Sequence, residues 1–558
     1  MRVLGIYDGT HDAGAALVVD GVLVAAASEE RFTRVKGAGG WPEASIAACL
    51  AAHRDGAIDR VAFPGLVNPN PAFRGLRMAQ RRVKLDDGWF YTEARTPMAR
   101  LTDWLQFGSA YPRMRSDGWA ARVMAPGVRA ILRRRTPRVP LALHDHHHCH
   151  AASTWFTSGF SDGLVIVADG VGDGLALTVW RGGGGRLERI GAMPYPDSYG
   201  LLYATITGFC GFRPFRHEGK LTGLAALGNA DVVDVPFPFT GPPEARRFTQ
   251  AFGAPLRPWL DSLRAYSRED VCAWLQRGVE TEIRNLVCYW TARTGTRNVA
   301  LAGGVFANVR LNQHVAALVD RLWVTPHMGD GGLAAGAAFL SSPNAVPVTM
   351  QHAMLGPSFS AAEMEGELTR ANVRYRRSQD IEGEVAERLS KGQIVARFDG
   401  AMEYGPRALG NRSILAAAGE KRMTDRLNLA LSRSDFMPFA PMLLADDAGE
   451  WVDDLAPVAH AARFMTVTVQ AKPALAALCP AAIHVDGSLR PQLVDEATAP
   501  GLHRTLREYR RITGIPALIN TSFNLHEEPI VRSPSEAIAT WRTARIDALA
   551  MGPFLVAA

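Results

Sequence analysis

Near the N-terminus, apolar residues run in short blocks broken by polar turns: VLGIYDG, then HDAGAALVVDG, then VLVAAASEER. Blocks of this length and spacing predict a strand, a tight polar turn, a second strand, a glycine turn and a third strand. A related pattern returns at GLVIVADGVGDG, LALTVWRGGGG and RLERIGAM. Helical segments follow each set, so the chain reads as a duplicated α/β domain with a cleft between its halves. A further apolar strand, in VALAGGVFANVRLN, passes through Gly303 and Gly304 into a helix. Small turns of this kind bring backbone N–H groups close to a ligand, and several converging on one cleft suit a nucleotide.

After GDGGLAAGAAFL the text changes. A stretch rich in Pro, Ser and small residues predicts a linker, with a helix N-cap near Ser360. Two domains follow, over residues 1–350 and 351–558, consistent with a chain too long for one ordinary core. The second domain carries its own anion-binding vocabulary. IVARFDGAMEYGPRALGNRSIL sets Arg407 and Arg412 around glycine turns, LSRSDFMPFAP adds Arg433, and PALINTSFN brings Ser522 and Asn524 to the end of a strand. Guanidinium groups match phosphate and carboxylate oxygens bidentately, while hydroxyl and amide groups fix the oxygens that remain. Structural ion pairs are the alternative for these arginines.

The tract from His144 to His150 holds five of the fifteen histidines. If a helix runs through it, His146 and His150 share one face a turn apart, a spacing at which two imidazoles bind one metal. Asp169 in VIVADGVGDG and Asp330 in TPHMGDGG sit in similar strand-then-glycine settings. The four make a mixed N/O site that suits Fe, Mn or Zn without selecting among them. No H-E-x-x-H occurs, which disfavours a zincin. The tract alone also permits a solvated helix start with no ligand role, and Cys149 reads as a small packing residue.

Composition changes this picture little. It is globular, with 47% hydrophobic and 21% charged residues. The net charge of +6 comes mostly from arginines, and clusters such as Arg133-Arg134-Arg135 lack interleaved aromatics, so nucleic acid is not the expected partner. No apolar run reaches membrane-spanning length, and the N-terminus starts a strand at once without a signal peptide. Six cysteines without CxxC pairing point to reduced thiols in a cytoplasm.

Ten stretches in one order then carry a specific resemblance: HDAGAAL, SEERFTRVK, DHHHCHAAS, VADGVGDG, EGKLTGLAALG, GGVFANVRLN, MGDGGLAAGAA, MEYGPRALGNRSIL, FMPFAP and LINTSFN. Along essentially its whole length the chain resembles the O-carbamoyltransferase family that includes nodulation protein U and the tobramycin carbamoyltransferase. The resemblance implies an actin-like (ASKHA, Kae1-like) duplicated domain followed by a YrdC-like α/β domain. It implies a two-step reaction. The second domain joins carbamoyl phosphate to ATP, with Mg2+, giving carbamoyl-adenylate and pyrophosphate. The first transfers the carbamoyl group to the hydroxyl of a natural product or sugar, in antibiotic or other secondary-metabolite biosynthesis.

By the same resemblance Arg407, Arg412, Arg433, Ser522 and Asn524 hold carbamoyl phosphate and ATP. Lys220, Gly303, Gly304 and Asn308 meet the nucleotide, and the metal at His146, His150, Asp169 and Asp330 is Fe(II). His11 matches the general base, with Asp12 either orienting it or capping a turn. Lys36 matches a position facing the acceptor, its alternative being an ordinary surface cation. Leu431 and Met437 stand where many relatives carry cations. Two other readings are a carbamoyl-chemistry maturation factor acting on protein or tRNA, and a non-catalytic nucleotide-binding protein. The acceptor itself is not legible; the stretches ARTPMARLTDWLQFGSAYPRM and VDVPFPFTGPPEA are expected to line its pocket.

Overall fold

The apolar blocks become strands because almost every side chain on them finds cover. In β1 (Arg2–Tyr7), Val3, Leu4, Ile6 and Tyr7 are all buried, so both faces of the strand are packed. The computed structural model describes residues 1–53, 56–65, 80–84, 90–94, 132–133, 135–136, 138–183, 185–250, 252, 256–432 and 439–557. The chain is α/β with mixed sheets.

The chain forms two compact units. The first comprises Met1–Val24, Gly39–Pro42 and Asp55–Thr349. It contains two five-stranded sheets. One is built from β1, β2 (Gly14–Val19), β3 (Val22–Ser28), β4 (Arg60–Pro64) and β5 (Leu141–His144), in the order β3-β2-β1-β4-β5. The other is built from β6 (Asp162–Gly172), β7 (Leu175–Gly183), β8 (Arg186–Pro194), β9 (Asn298–Ala302) and β10 (Arg321–Val324), in the order β8-β7-β6-β9-β10. In each, the first strand pairs antiparallel with the second and parallel with the fourth. Strand order therefore matches between the two sheets, as does the sense of the first strand's two pairings.

Two helices fill the space between them. Helix α1 (His146–Ser158) packs on β6 and β9, helix α2 (Leu333–Leu340) packs on β1, β2 and β4, and the helices pack on each other. Glycine makes the approach possible. A Cβ on Gly336 of α2 would lie 1.9 Å from the Cys149 carbonyl oxygen of α1, and one on Gly5 of β1 would lie 1.8 Å from that of Ala334.

The second unit comprises Ala25–Ala38, Glu43–Arg54 and Met350–Ala558. A single division at residue 350 is thus crossed by two early segments, and side-chain hydrogen bonds show why for the first of them. Arg31 donates to the Gly405 carbonyl and Arg34 to that of Ile530, each at 2.8 Å. The eight-stranded sheet of this unit runs Arg376–Arg377, Phe554–Ala557, Ala548–Met551, Val395–Phe398, Arg412–Ala417, Ala517–Ser522, Ala440–Leu444 and Gln492–Val494. Helices Ile381–Ser390 and Pro500–Thr513 contribute Val385, Leu389, Leu506 and Tyr509 to a core shared with Val395, Leu415 and Leu518. Ser360 caps helix Ala361–Arg370 in a reciprocal capping box with Glu363. Among the described residues no helix is long and apolar enough to cross a membrane.

Candidate metal centre and neighbouring sites

Helix α1 begins inside the histidine tract. Asp145 is its N-cap, accepting the His148 N–H at 2.8 Å, and Gly159 ends it in the left-handed region. His146 and His150 are therefore one turn apart on a rigid element, and both rings are fully buried. Asp169 arrives on β6 and Asp330 on a 3-10 turn just before α2. One donor atom from each of the four lies within 4.8 Å of the others.

The distances describe a convergent set. His146 Nε2 is 3.1 Å from Asp169 Oδ2 and 3.5 Å from Asp330 Oδ1. His150 Nε2 is 3.6 Å and 3.3 Å from the same two oxygens, yet it is buried and makes no hydrogen bond. A sealed imidazole nitrogen aimed at two carboxylates without bonding either is what a shared cation requires. Burial alone disfavours charge on these side chains. Even so, the Asp330 and Asp169 charges raise His146 and His150, while the histidines hold both carboxyls well below the usual range. A divalent cation would replace the two imidazole protons, since ligating histidine is neutral. The donor set fits such an ion.

Around these ligands the protein holds a further layer. The His146 N–H donates to Asp173 Oδ2 at 2.9 Å. The Tyr7 hydroxyl donates to Asp330 Oδ2 at 2.5 Å, and burial followed by the Asp330 charge pushes its pKa well above the usual value. Neither Tyr7 nor Asp173 was legible as part of a site. Tyr7 reads as an apolar strand end, and Asp173 as an ordinary turn residue. Asp145 did carry a signal, an N-cap residue ahead of a helical run.

His11 follows β1 and is half-exposed. Its Nδ1 lies 3.0 Å from Asp12 Oδ2 and its Nε2 lies 3.8 Å from Asp330 Oδ2. Burial works to lower its pKa, but the hydrogen bond to Asp12 and the charges of Asp330 and Asp169 outweigh this and raise it to about 9. Asp12 takes a positive φ of 54° in this turn.

The Gly303–Gly304 turn also meets the cluster, in an unexpected way. The Gly303 N–H donates to the Met328 carbonyl at 2.7 Å, and the Gly304 N–H donates to Asp169 Oδ1 at 3.3 Å. Both amides are thus committed inside the protein, and the glycines contribute room instead of donors. At Gly303 φ is 96°, and a Cβ would lie 2.1 Å from the Ala168 carbonyl oxygen. Asn308 is likewise committed, capping helix Val309–Ala316 through Leu311 N–H and donating to Gln276 Oε1 at 2.8 Å. Lys220, on helix Glu218–Ala225, rests its ammonium 5.9 Å from the Phe212 ring centroid.

In the second unit the expected anion ligands separate. Arg412 is fully buried, with its guanidinium 3.8 Å over the Phe398 ring. It donates to the carbonyls of Asp399 at 2.5 Å, Asn411 at 3.0 Å and Gly400 at 3.2 Å. That corrects the reading of Arg412 as an anion ligand: its donors hold the turn around it. Glu403 completes this turn, accepting the N–H groups of Leu409, Asn411 and Arg412 on one oxygen. Arg407 is half-buried on the loop so fixed. Ser522 is half-buried at the end of its strand, and buried Asn524 donates to the Leu525 and Glu528 carbonyls. Lys36 is exposed on a segment of this unit. Leu431 is fully buried, which accounts for an apolar residue there. Arg433, Met437 and most of the ARTPMARLTDWLQFGSAYPRM stretch lie outside the described residues.

Comparisons with known proteins agree along the chain. The carbamoyltransferase N-terminus family model matches residues 2–237 and 246–339, and the carbamoyltransferase C-terminus model matches residues 386–558. An uncharacterized protein of Synechocystis sp. is 30% identical over 611 residues, covering 100% of this chain and 96% of that protein. Nodulation protein NolNO of Sinorhizobium fredii is 29% identical over 567 residues, covering 98% of this chain and 79% of the relative. Among solved structures, full-length HypF in its phosphate- and nucleotide-bound form aligns at 12% identity and a TM-score of 0.36. That likeness covers 61% of this chain and 55% of HypF, and is too slight to bear on function. With the N-terminal and C-terminal halves of one family matched in order along a single chain, the protein belongs to the carbamoyltransferase family and is a transferase enzyme.

Proposed function

We propose that the protein is an ATP-dependent O-carbamoyltransferase working in two steps. Residues 351–558, read as YrdC-like, make carbamoyl-adenylate. Residues 1–350, read as a duplicated actin-like, Kae1-like domain, pass the carbamoyl group to a hydroxyl of a natural product or sugar. The matched strand order of the two five-stranded sheets supports the duplication. The observation that carries the transfer step is the cluster of buried His146 and His150 with Asp169 and Asp330, flanked within one unit by His11 and the Gly303–Gly304 turn.

In the first step carbamoyl phosphate, with water, releases inorganic phosphate. The carbamate oxygen then bonds to the α-phosphorus of ATP as pyrophosphate leaves. Arg407, with Arg433, offsets the repulsion between these polyanions, and Ser522 orients them by hydrogen bonding. Arg412 acts one layer back, through the turn that presents Arg407. In the second step the acceptor oxygen bonds to the carbamoyl carbon and AMP departs. His11 takes the hydroxyl proton at Nε2, because Nδ1 facing Asp12 fixes the tautomer that leaves the Nε2 lone pair free. Lys220 meets the nucleotide phosphates, and Gly303 and Gly304 leave room for them. A divalent cation at the cluster, Fe(II) by family resemblance, supplies Lewis-acid charge when bound.

Incubating the protein with ATP and carbamoyl phosphate, without acceptor, tests this reading. Pyrophosphate release dependent on carbamoyl phosphate is the expected result. Nucleotide binding without turnover overturns it.

A further inference from the structure

The two acidic side chains at the cluster are held alike. Asp169 turns Oδ2 toward the histidines and gives Oδ1 to the Gly304 N–H. Asp330 turns Oδ1 toward the histidines, and its Oδ2 takes the Tyr7 hydroxyl. Each carboxylate thus has one oxygen for a shared cation and one tied elsewhere, to a turn amide for Asp169 and to a strand-end hydroxyl for Asp330. A free carboxylate rotates easily between monodentate and bidentate binding, so whatever holds the outer oxygen decides how the inner one is presented.

The geometry points to Tyr7 as the positioning residue for Asp330. Its hydroxyl holds Oδ2 so that Oδ1 alone faces a cation at His146 and His150. This inference rests on the metal reading above. Tyr7 is well placed for the role, since its ring is fully buried at the end of β1 and cannot swing away. Gly9 lies across that ring: a Cβ on Gly9 would be 2.3 Å from Tyr7 Cζ and 2.4 Å from its hydroxyl oxygen. The Gly9 carbonyl in turn accepts the Gly40 N–H at 2.9 Å, which braces the turn. Two residues on, the same turn carries His11, whose Nε2 faces the oxygen that Tyr7 holds. One hydroxyl therefore sets both the ligand geometry of Asp330 and the carboxylate edge that His11 meets.

Cobalt(II) titration of metal-stripped protein tests this, because its visible absorption bands report coordination directly and need no turnover. Wild type should bind one Co(II) per chain. Tyr7→Phe, which keeps the ring and loses only the hydroxyl, should bind about 10- to 100-fold more weakly, with changed bands. Gly9→Ala, with the hydroxyl intact but the ring displaced, should shift the bands in the same way. In an Asp330→Asn background Tyr7→Phe should change little further. If wild type binds no Co(II), the metal reading fails and this inference with it. If wild type binds but Tyr7→Phe matches it in affinity and spectrum, the metal reading stands and Tyr7 is only a core residue.

Discussion

Gly172 lies directly under the His146 ring: a Cβ at that position would sit 2.1 Å from His146 Cδ2 and 2.6 Å from Nε2. The ring is thus seated by an absence of side chain on the strand that also delivers Asp169. Placement of the imidazole, as well as its identity, is therefore written into the sequence.

That relationship gives the first prediction. His146→Ala and His150→Ala should lose bound metal and stop carbamoyl transfer, yet leave carbamoyl-adenylate formation largely intact, as the proposed assignment of the two steps to different domains requires. Gly172→Ala should do the same with every ligand present, by pushing the ring off its seat. Metal analysis and a pyrophosphate assay on one preparation check this. Equal loss of both half-reactions in a folded variant contradicts separate sites.

Arg407 and Arg412 should part company, though they stand five residues apart. Arg412→Ala removes a fully buried guanidinium and the three carbonyl bonds it donates, at a cost of about 3 kcal/mol, and should show as a lowered melting temperature. Arg407→Ala should abolish pyrophosphate release, while still transferring from supplied carbamoyl-adenylate. A stable, active Arg407→Ala places the anion site elsewhere.

The contrast shows what a sequence can and cannot tell. His146 and His150 were legible because helical spacing fixes which side chains share a face, and Asp169 because an apolar strand must end somewhere polar. Arg412 misled because its partners are backbone carbonyls, which every residue has and no residue type announces. Gly303 and Gly304 read as amide donors, but the direction of an N–H is set by the turn and not by composition. Tyr7 was invisible for the opposite reason: a tyrosine ending a buried strand looks like core, and its hydroxyl finds Asp330 only after the chain has folded. The tie between Arg31 and Gly405 likewise depends on tertiary contact alone.

Thiol chemistry offers a check on the packing that is independent of function. None of the six cysteines is in a disulfide, and only Cys288 is exposed. Burial pushes the Cys49 and Cys479 thiols up to about 12, so neither supplies thiolate near neutral pH. Native protein at pH 7.5, an assay condition chosen on the order of one unit below an ordinary thiol pKa, should label rapidly at one site, removed by Cys288→Ser. Denatured protein should label at all six. Rapid native labelling of Cys49 or Cys479 contradicts the packing around it.

The last prediction concerns His11. A general base contributes about 10²–10⁴-fold to rate, so His11→Ala should slow transfer by that order while keeping the metal. The base must be neutral to accept a proton. With no cation beside them, Asp12, Asp330 and Asp169 hold His11 at about 9, protonated at neutral pH. A divalent ion offsets the Asp330 and Asp169 charges, so His11 in the loaded enzyme titrates below 9. Transfer from supplied carbamoyl-adenylate should therefore fall as pH drops through that value, and this acidic limb should vanish in His11→Ala. Asp12→Asn, which removes the charge nearest Nδ1, should move the limb to lower pH without abolishing it. If the limb survives in His11→Ala, the proton goes elsewhere, and His11 serves only to position the acceptor against Asp330.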